Sequence, residues 1–173
     1  MNSEIIDGGS ILKYHIDLPS EHINPEEQNH TVVCTARIIG KEAFSYSNVQ
    51  IFNCRKKLIR IEEQAFAYCE NLKYFLMRCT LPKENEFFNI EKEAFLNCSE
   101  LRTVELSGGD KIIIKKDAFK GCISLRTVKI ECETIILCEN PFEECPEYLT
   151  FICHKNSKIE RFAIEHGYRV IYE

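Results

Sequence analysis

No stretch of this 173-residue chain runs apolar for the roughly 18–20 residues that a membrane-spanning helix needs, which excludes helical insertion into a bilayer. The opening MNSEIIDGGS has neither the basic start nor the apolar stretch of a secretion leader. The expectation is a cytoplasmic protein, or a cell-surface or secreted one if a longer precursor supplies the leader. An excess of positive charge is missing too: 22 Lys and Arg face 27 Asp and Glu, a net of −5, so the chain lacks the basic footprint that a phosphate backbone requires. Nucleic acid is not an expected partner. The chain also lacks C-x2-C, HExxH, GxxxxGK[ST] and GxGxxG, so no metal and no cofactor are expected.

What is present is repetition. EAFLNCSELRTVEL at 93–106 recurs as DAFKGCISLRTVKI at 117–130, QAFAYCENLKYFLM at 64–77 has the same skeleton, and NPFEECPEYLTFIC at 140–153 is a looser copy. EAFSYSNVQIFNC at 42–54 is a fifth, one residue short. Its phenylalanines are Phe44, Phe66, Phe95, Phe119 and Phe142, at intervals of 22, 29, 24 and 23 residues. A period in this range is the mark of a solenoid, in which each coil buries its inward residues only against the next. Five positions before each Phe stands Ile39, Ile61, Ile90, Ile114 or Leu137. Three after it comes a small residue, Ser47, Cys69, Cys98, Cys122 or Cys145.

The second half of each copy alternates with the period of a half-buried strand. Leu125, Val128 and Ile130 face in, as do Leu101, Val104 and Leu106, Leu72, Phe75 and Met77, and Val49, Phe52 and Cys54. Tyr148, Phe151 and Cys153 are the expected counterparts in the last copy. Successive strands then lie parallel in one sheet. KLIRI at 57–61 and KIIIK at 111–115 read as second, shorter extended pieces. TLPKENEFF at 80–88 reads as an inserted loop that carries Phe88 with it.

The skeleton I-x4-F-x2-C-x2-L-x2-V-x-I, with Ala before most of the phenylalanines, resembles the BspA-type, or treponemal-type, leucine-rich repeats. The likeness implies an α/β repeat fold: a leucine-rich-repeat solenoid with a parallel sheet face. It also implies a C-terminal helix–strand cap, which SKIERFAIEHGYRVIYE at 157–173 matches. There Ser157 is a helix N-cap, Ile159, Phe162 and Ala163 form the apolar face, and Gly167 is the stop. Residues 1–34 are expected to form an N-terminal cap and loop, 35–156 the five repeats and 157–173 the C-terminal cap, all in one domain. The likeness implies adhesion or protein interaction as the activity.

The ten cysteines could suggest bridges, but Cys69, Cys98 and Cys122 share one small-residue slot, while Cys54 and Cys153 replace strand aliphatics and Cys79 and Cys132 continue inward faces. Packing explains them, and free thiols are the expectation. A nucleophile–base set drawn from Cys34, His30 and His154 has no spacing that brings it together. An enzyme is therefore not expected, although a thiol-dependent one is the alternative from that class.

A surface remains. The outward positions of the sheet are Ile51, Tyr74, Thr103, Thr127 and Thr150 in one row, and Asn53, Leu76, Glu105, Lys129 and Ile152 in the next. Arg55, Arg78, Ser107, Glu131 and His154 make the third. Aromatics and Arg are enriched at interface centres, and Tyr74, Leu76 and Arg78 have that composition. The expected function is non-catalytic binding of a protein partner through this face by a monomer. A cell-surface adhesin fragment and a structural protein that assembles end to end are the alternatives.

Overall fold

The computed structural model describes residues 11–12, 31–34, 36–54, 58–78, 87–107, 111–132 and 134–173, with the side chains of 11 and 12 left aside. Two parallel sheets form the walls of the solenoid. The seven-stranded sheet contains β2 (Thr31–Cys34), β4 (Ile51–Cys54), β6 (Tyr74–Arg78), β8 (Thr103–Ser107), β10 (Thr127–Glu131), β12 (Thr150–Cys153) and β13 (Arg169–Tyr172), side by side in that order. The six-stranded sheet contains β1 (Ile11–Leu12), β3 (Ile38–Ile39), β5 (Arg60–Ile61), β7 (Phe87–Ile90), β9 (Lys111–Ile114) and β11 (Thr134–Leu137). The two short extended pieces seen in the sequence thus belong to a second complete sheet. β1 and β2 carry both sheets upstream of the first phenylalanine, pairing with β3 and β4. The rest of the expected N-terminal cap, residues 1–10 and 13–30, lies outside the described residues.

Between the two walls runs the core. Phe44, Phe66, Phe95, Phe119 and Phe142 stack face to face, with centroid separations of 5.0, 5.0, 4.9 and 5.2 Å and planes within 8° of parallel. These separations match the spacing of hydrogen-bonded strands, about 4.7–4.9 Å, so one repeat distance serves backbone and side chain alike. Phe52 and Phe75 form a second stack at 5.5 Å and meet the first edge-on, as Phe75 does with Phe95 at 4.8 Å. Edge-to-face and offset contacts of this kind add about 0.5–1.5 kcal/mol beyond the area buried.

The turn that carries each phenylalanine has an unusual backbone. Glu42, Gln64, Glu93 and Asp117, two residues before it, have φ of 56°, 56°, 57° and 57°. Tyr46, Tyr68, Asn97 and Glu144, two residues after, have φ of 59°, 59°, 55° and 60°. Non-glycine residues here cost about 1–2 kcal/mol each. The offset is a third hydrogen-bond ladder. The N–H of each Phe donates to the carbonyl before the next Phe: Phe44 to Ala65 at 2.7 Å, Phe66 to Ala94 at 2.7 Å, Phe95 to Ala118 at 2.7 Å and Phe119 to Pro141 at 2.8 Å. Tyr46 and Tyr68 donate in the same way, to Ala67 and Leu96. Gly121 takes the Asn97 slot at φ 71°, where an added Cβ would lie 2.0 Å from Asn97 Oδ1.

The ladder accounts for Pro141 in the Ala slot. Only the carbonyl of that slot is needed by the coil below. The lost N–H bond, which Ala118 makes to the Lys115 carbonyl, has no equivalent, and Asn140 Oδ1 instead accepts from the Phe142 N–H at 3.0 Å. The missing residue of the first copy falls in the short turn before Val49, and β4 still pairs Phe52 with Phe75.

At the C-terminal end α1 (Lys158–Glu165) lies over the last coil. Ser157 Oγ accepts from the Glu160 N–H at 3.2 Å while Glu160 Oε2 accepts from the Asn156 N–H, a reciprocal capping arrangement. Tyr172 donates to Glu160 Oε1 at 2.7 Å and ties the helix to β13. Ile159, Phe162 and Ala163 are buried, and Phe162 meets Phe142 and Phe151, so the ring stack ends on the helix. Gly167, at φ 76°, ends the helix.

Two sequence expectations are overturned. Phe88 does not belong to an inserted loop: it is fully buried in β7, opposite Ile112. The alternation that places Ile90 inward places Phe88 inward as well, so the insertion is confined to residues upstream of β7. Tyr148 does not face in. It is 54% exposed, and fully buried Leu149 fills the slot, because the turn after Cys145 takes one more residue before its inward aliphatic. Cys132 is only half-buried, and Cys79 lies outside the described residues.

Phe88→Ala and Phe119→Ala are each expected to cost about 3–5 kcal/mol, as buried aromatic truncations do. Chemical denaturation measures both, with the milder Phe→Leu pair as a fallback if either variant does not fold. A loss at Phe88 far below that at Phe119 would return it to a loop.

Candidate interaction face

Strand register sets the outward rows. Ile51 is opposite Tyr74, Tyr74 opposite Thr103, Thr103 opposite Thr127 and Thr127 opposite Thr150. In the next row Val33, Asn53, Leu76, Glu105, Lys129, Ile152 and Ile171 follow one another across seven strands. Arg78, Ser107 and Glu131 align in the third. All of these but Arg55, which lies outside the described residues, are exposed or half-buried. Val33 and Ile171 were missed because the sequence pattern was started and stopped inside the sheet.

The ends and the middle of this face differ. At one end Val33, Ile51, Tyr74 and Leu76 form an apolar group on three adjacent strands, with Val33 51% and Tyr74 37% exposed. In the middle the charges are paired. Arg78 donates to Glu105 Oε2 at 2.6 Å, and Lys129 reaches Glu131 at 2.9 Å and Glu173 at 2.7 Å. The Glu105 carboxylate raises the Arg78 guanidinium, the Glu131 and Glu173 carboxylates raise Lys129, and Lys129 holds Glu131 below the usual carboxylate range. Row assignment could be read from the sequence; the pairings of Arg78 with Glu105 and of Lys129 with Glu173 could not, because they join residues distant in the chain and on different rows.

Two further surface groups escaped the sequence reading. Tyr46 and Tyr68, both at left-handed positions of the turn, stack at 4.9 Å. On the outer side of the second sheet Lys111 Nζ sits 4.5 Å over the exposed Phe87 ring.

The interior thiols form a column. Cys69 donates to the Phe44 carbonyl at 2.8 Å, Cys98 to Phe66 at 3.0 Å, Cys122 to Phe95 at 3.3 Å and Cys145 to Phe119 at 3.3 Å. Each thiol therefore serves the carbonyl of the preceding coil's phenylalanine, which explains why this slot takes Cys; in the first copy the Ser47 hydroxyl instead lies 3.4 Å from Cys69 Sγ. The Cys98 thiol together with burial pushes Cys69 far up, burial and the Cys122 thiol push Cys98 up, and burial raises Cys145 to about 12. These are poor nucleophiles.

The Cys–His set is not assembled. Cys34 lies in β2 and His154 follows β12, five strand spacings away, roughly 24 Å at about 4.8 Å each. His30 is outside the described residues. Cys153 points into the core while His154 is exposed. Among the described residues no three His, Cys, Asp or Glu side chains converge as a metal site, and no helix is long and apolar enough to cross a membrane.

The model of the BspA type leucine rich repeat region matches residues 28–150 in six copies, one more than the five phenylalanine-centred ones. Its start takes in β2, one coil upstream of its pairing partner β4, the strand that follows Phe44. No curated protein and no solved structure matches the chain.

Cys69, Cys98 and Cys122 are expected to resist a thiol reagent in the native protein and to react rapidly once it is unfolded. Mass spectrometry of the labelled peptides decides it, and full native labelling of these three would refute the column.

A pH dependence follows from Cys145. Folding raises its thiol above the ordinary 9.0 to about 12, so an unfolded chain releases above pH 9 a proton that the folded one keeps. Its stabilising contribution is complete below pH 9 and is lost as pH rises toward 12. Urea titrations of wild type and Cys145→Ser should give curves that diverge over this window, the variant falling less steeply. Parallel curves would contradict the assignment.

Proposed function

Because the chain belongs to the BspA-type leucine-rich-repeat family, we propose that it is a non-catalytic binding module which engages a protein partner through the outward side of the seven-stranded sheet. Repeat proteins of this kind are commonly involved in protein interaction, and solenoids of this fold typically carry no catalysis. The observation that carries the reading is the apolar group Val33, Ile51, Tyr74 and Leu76, set around Asn53 on an in-register surface bordered by Arg78. Aromatic and Arg anchors of this sort supply most of the energy of many interfaces. Asn53, Glu105, Lys129 and Ile152 complete the proposed face.

Tyr74→Ala combined with Leu76→Ala is expected to weaken a partner by tenfold or more, since such anchors often contribute about 2 kcal/mol. Stability should hardly change. The measurement compares partners captured by wild type, by this double variant and by Lys158→Ala, which lies on α1 away from the face. Partners kept by the double variant but lost with Lys158→Ala would place binding at the helical end instead.

A further inference from the structure

The sheet face has a basic lip. Lys73, Arg102 and Arg126 each stand one residue before a strand, and they are stacked by their own backbones: the Arg102 N–H donates to the Lys73 carbonyl at 2.9 Å and the Arg126 N–H to the Arg102 carbonyl at 2.9 Å. Three cations therefore emerge from successive coils. Arg102 is paired with Glu100 at 3.0 Å, but Lys73 and Arg126 have no acidic partner among the described residues, nor does Arg169 on β13. Arg126 and Arg169 are exposed and Lys73 is half-buried.

The carboxylates of the same face are already engaged. Arg78 holds Glu105, and Lys129 holds Glu131 and Glu173. What the face offers outward is uncompensated positive charge beside two threonine hydroxyls, Thr103 and Thr127, which have no hydrogen-bond partner among the described residues. The unpaired Lys73 and Arg126 stand two strand spacings apart, roughly 10 Å at about 4.8 Å each, and a partner's carboxylates would relieve their mutual repulsion. Lys73 adjoins Tyr74 of the apolar group, while Arg126 stands two strands and Arg169 four strands further along the sheet.

We propose that the sheet face binds an acidic, extended peptide segment that lies across the strands, its carboxylates against Lys73, Arg126 and Arg169 and its apolar side chains against Ile51, Tyr74 and Leu76. The inference rests on the sheet-face reading above and adds the chemistry of the partner. A sulfated polysaccharide would satisfy the cations but has nothing to bury against Ile51 and Leu76, so a peptide fits both halves of the surface. The net charge of −5 opposes an acidic partner at long range. Beyond about 8 Å physiological salt screens that repulsion, so recognition depends on the local lip.

The test uses the full chain and three probes: a short peptide alternating Glu and Leu, its Lys–Leu counterpart, and heparin, with affinity read by fluorescence anisotropy or competition. The Glu–Leu peptide is expected to bind, to weaken with added salt, and to bind about tenfold more weakly to the Lys73→Glu/Arg126→Glu variant. Melting curves establish that this variant is folded, and Arg126→Glu with Arg169→Glu is the second variant. No binding of the Glu–Leu peptide, equal binding of the Lys–Leu peptide, or heparin binding without peptide binding overturns the inference. If Leu76→Asp abolishes binding while both charge reversals leave it intact, the face is the site but its partner is not acidic. If neither kind of substitution matters, the sheet-face reading itself fails.

Discussion

One distance governs this molecule. Strands hydrogen-bond at just under 5 Å, aromatic rings stack at the same separation, and a coil that presents both must present them again at the same places in the next coil. Phe44 to Phe142 obey this over five coils, with ring separations between 4.9 and 5.2 Å. The turn backbone, the cysteine slot and the strand register all follow the same repeat. A left-handed residue such as Gln64 is tolerable because its turn is hydrogen-bonded to the next coil two residues on, where the Phe66 N–H meets the Ala94 carbonyl.

The same constraint separates what could be read in one dimension from what could not. Inward positions recur at fixed offsets from each phenylalanine, so Ile114, Cys122, Leu125 and Val128 were legible from a single copy laid over its neighbours. Phe88 and Leu149 were not, since each sits beside a segment whose length departs from the period and shifts the count. The left-handed turn residues left only a partial compositional trace: Asn97, Asp117 and Gly121 are of the types that favour this region, but Glu, Gln and Tyr hold most of the equivalent positions. β2 escaped because its coil has strand residues, Thr31–Cys34, without the phenylalanine that marked the others.

For the candidate face, periodicity indicates which side a residue is on but not what it touches there. Tyr74, Leu76 and Glu105 were placed outward by alternation, and the sheet places them so. The bond from Arg78 to Glu105 crosses from one row and strand to another, and Lys129 reaches Glu173, the residue after β13, contacts that depend on side-chain reach. They change the meaning of the face: its carboxylates are internally neutralised, while the lip formed by Lys73 and Arg126 is not.

The account stands on the turn being a hydrogen-bonded wall equal in rank to the two sheets. Native-state amide hydrogen exchange tests this residue by residue. The amides of Phe66, Phe95 and Phe119 should exchange as slowly as those of the central strands β6, β8 and β10, opening only with the whole solenoid. Fast exchange at these phenylalanines beside slow exchange in the strands would show that the turns are loops hung on a two-sheet core, and would contradict the account.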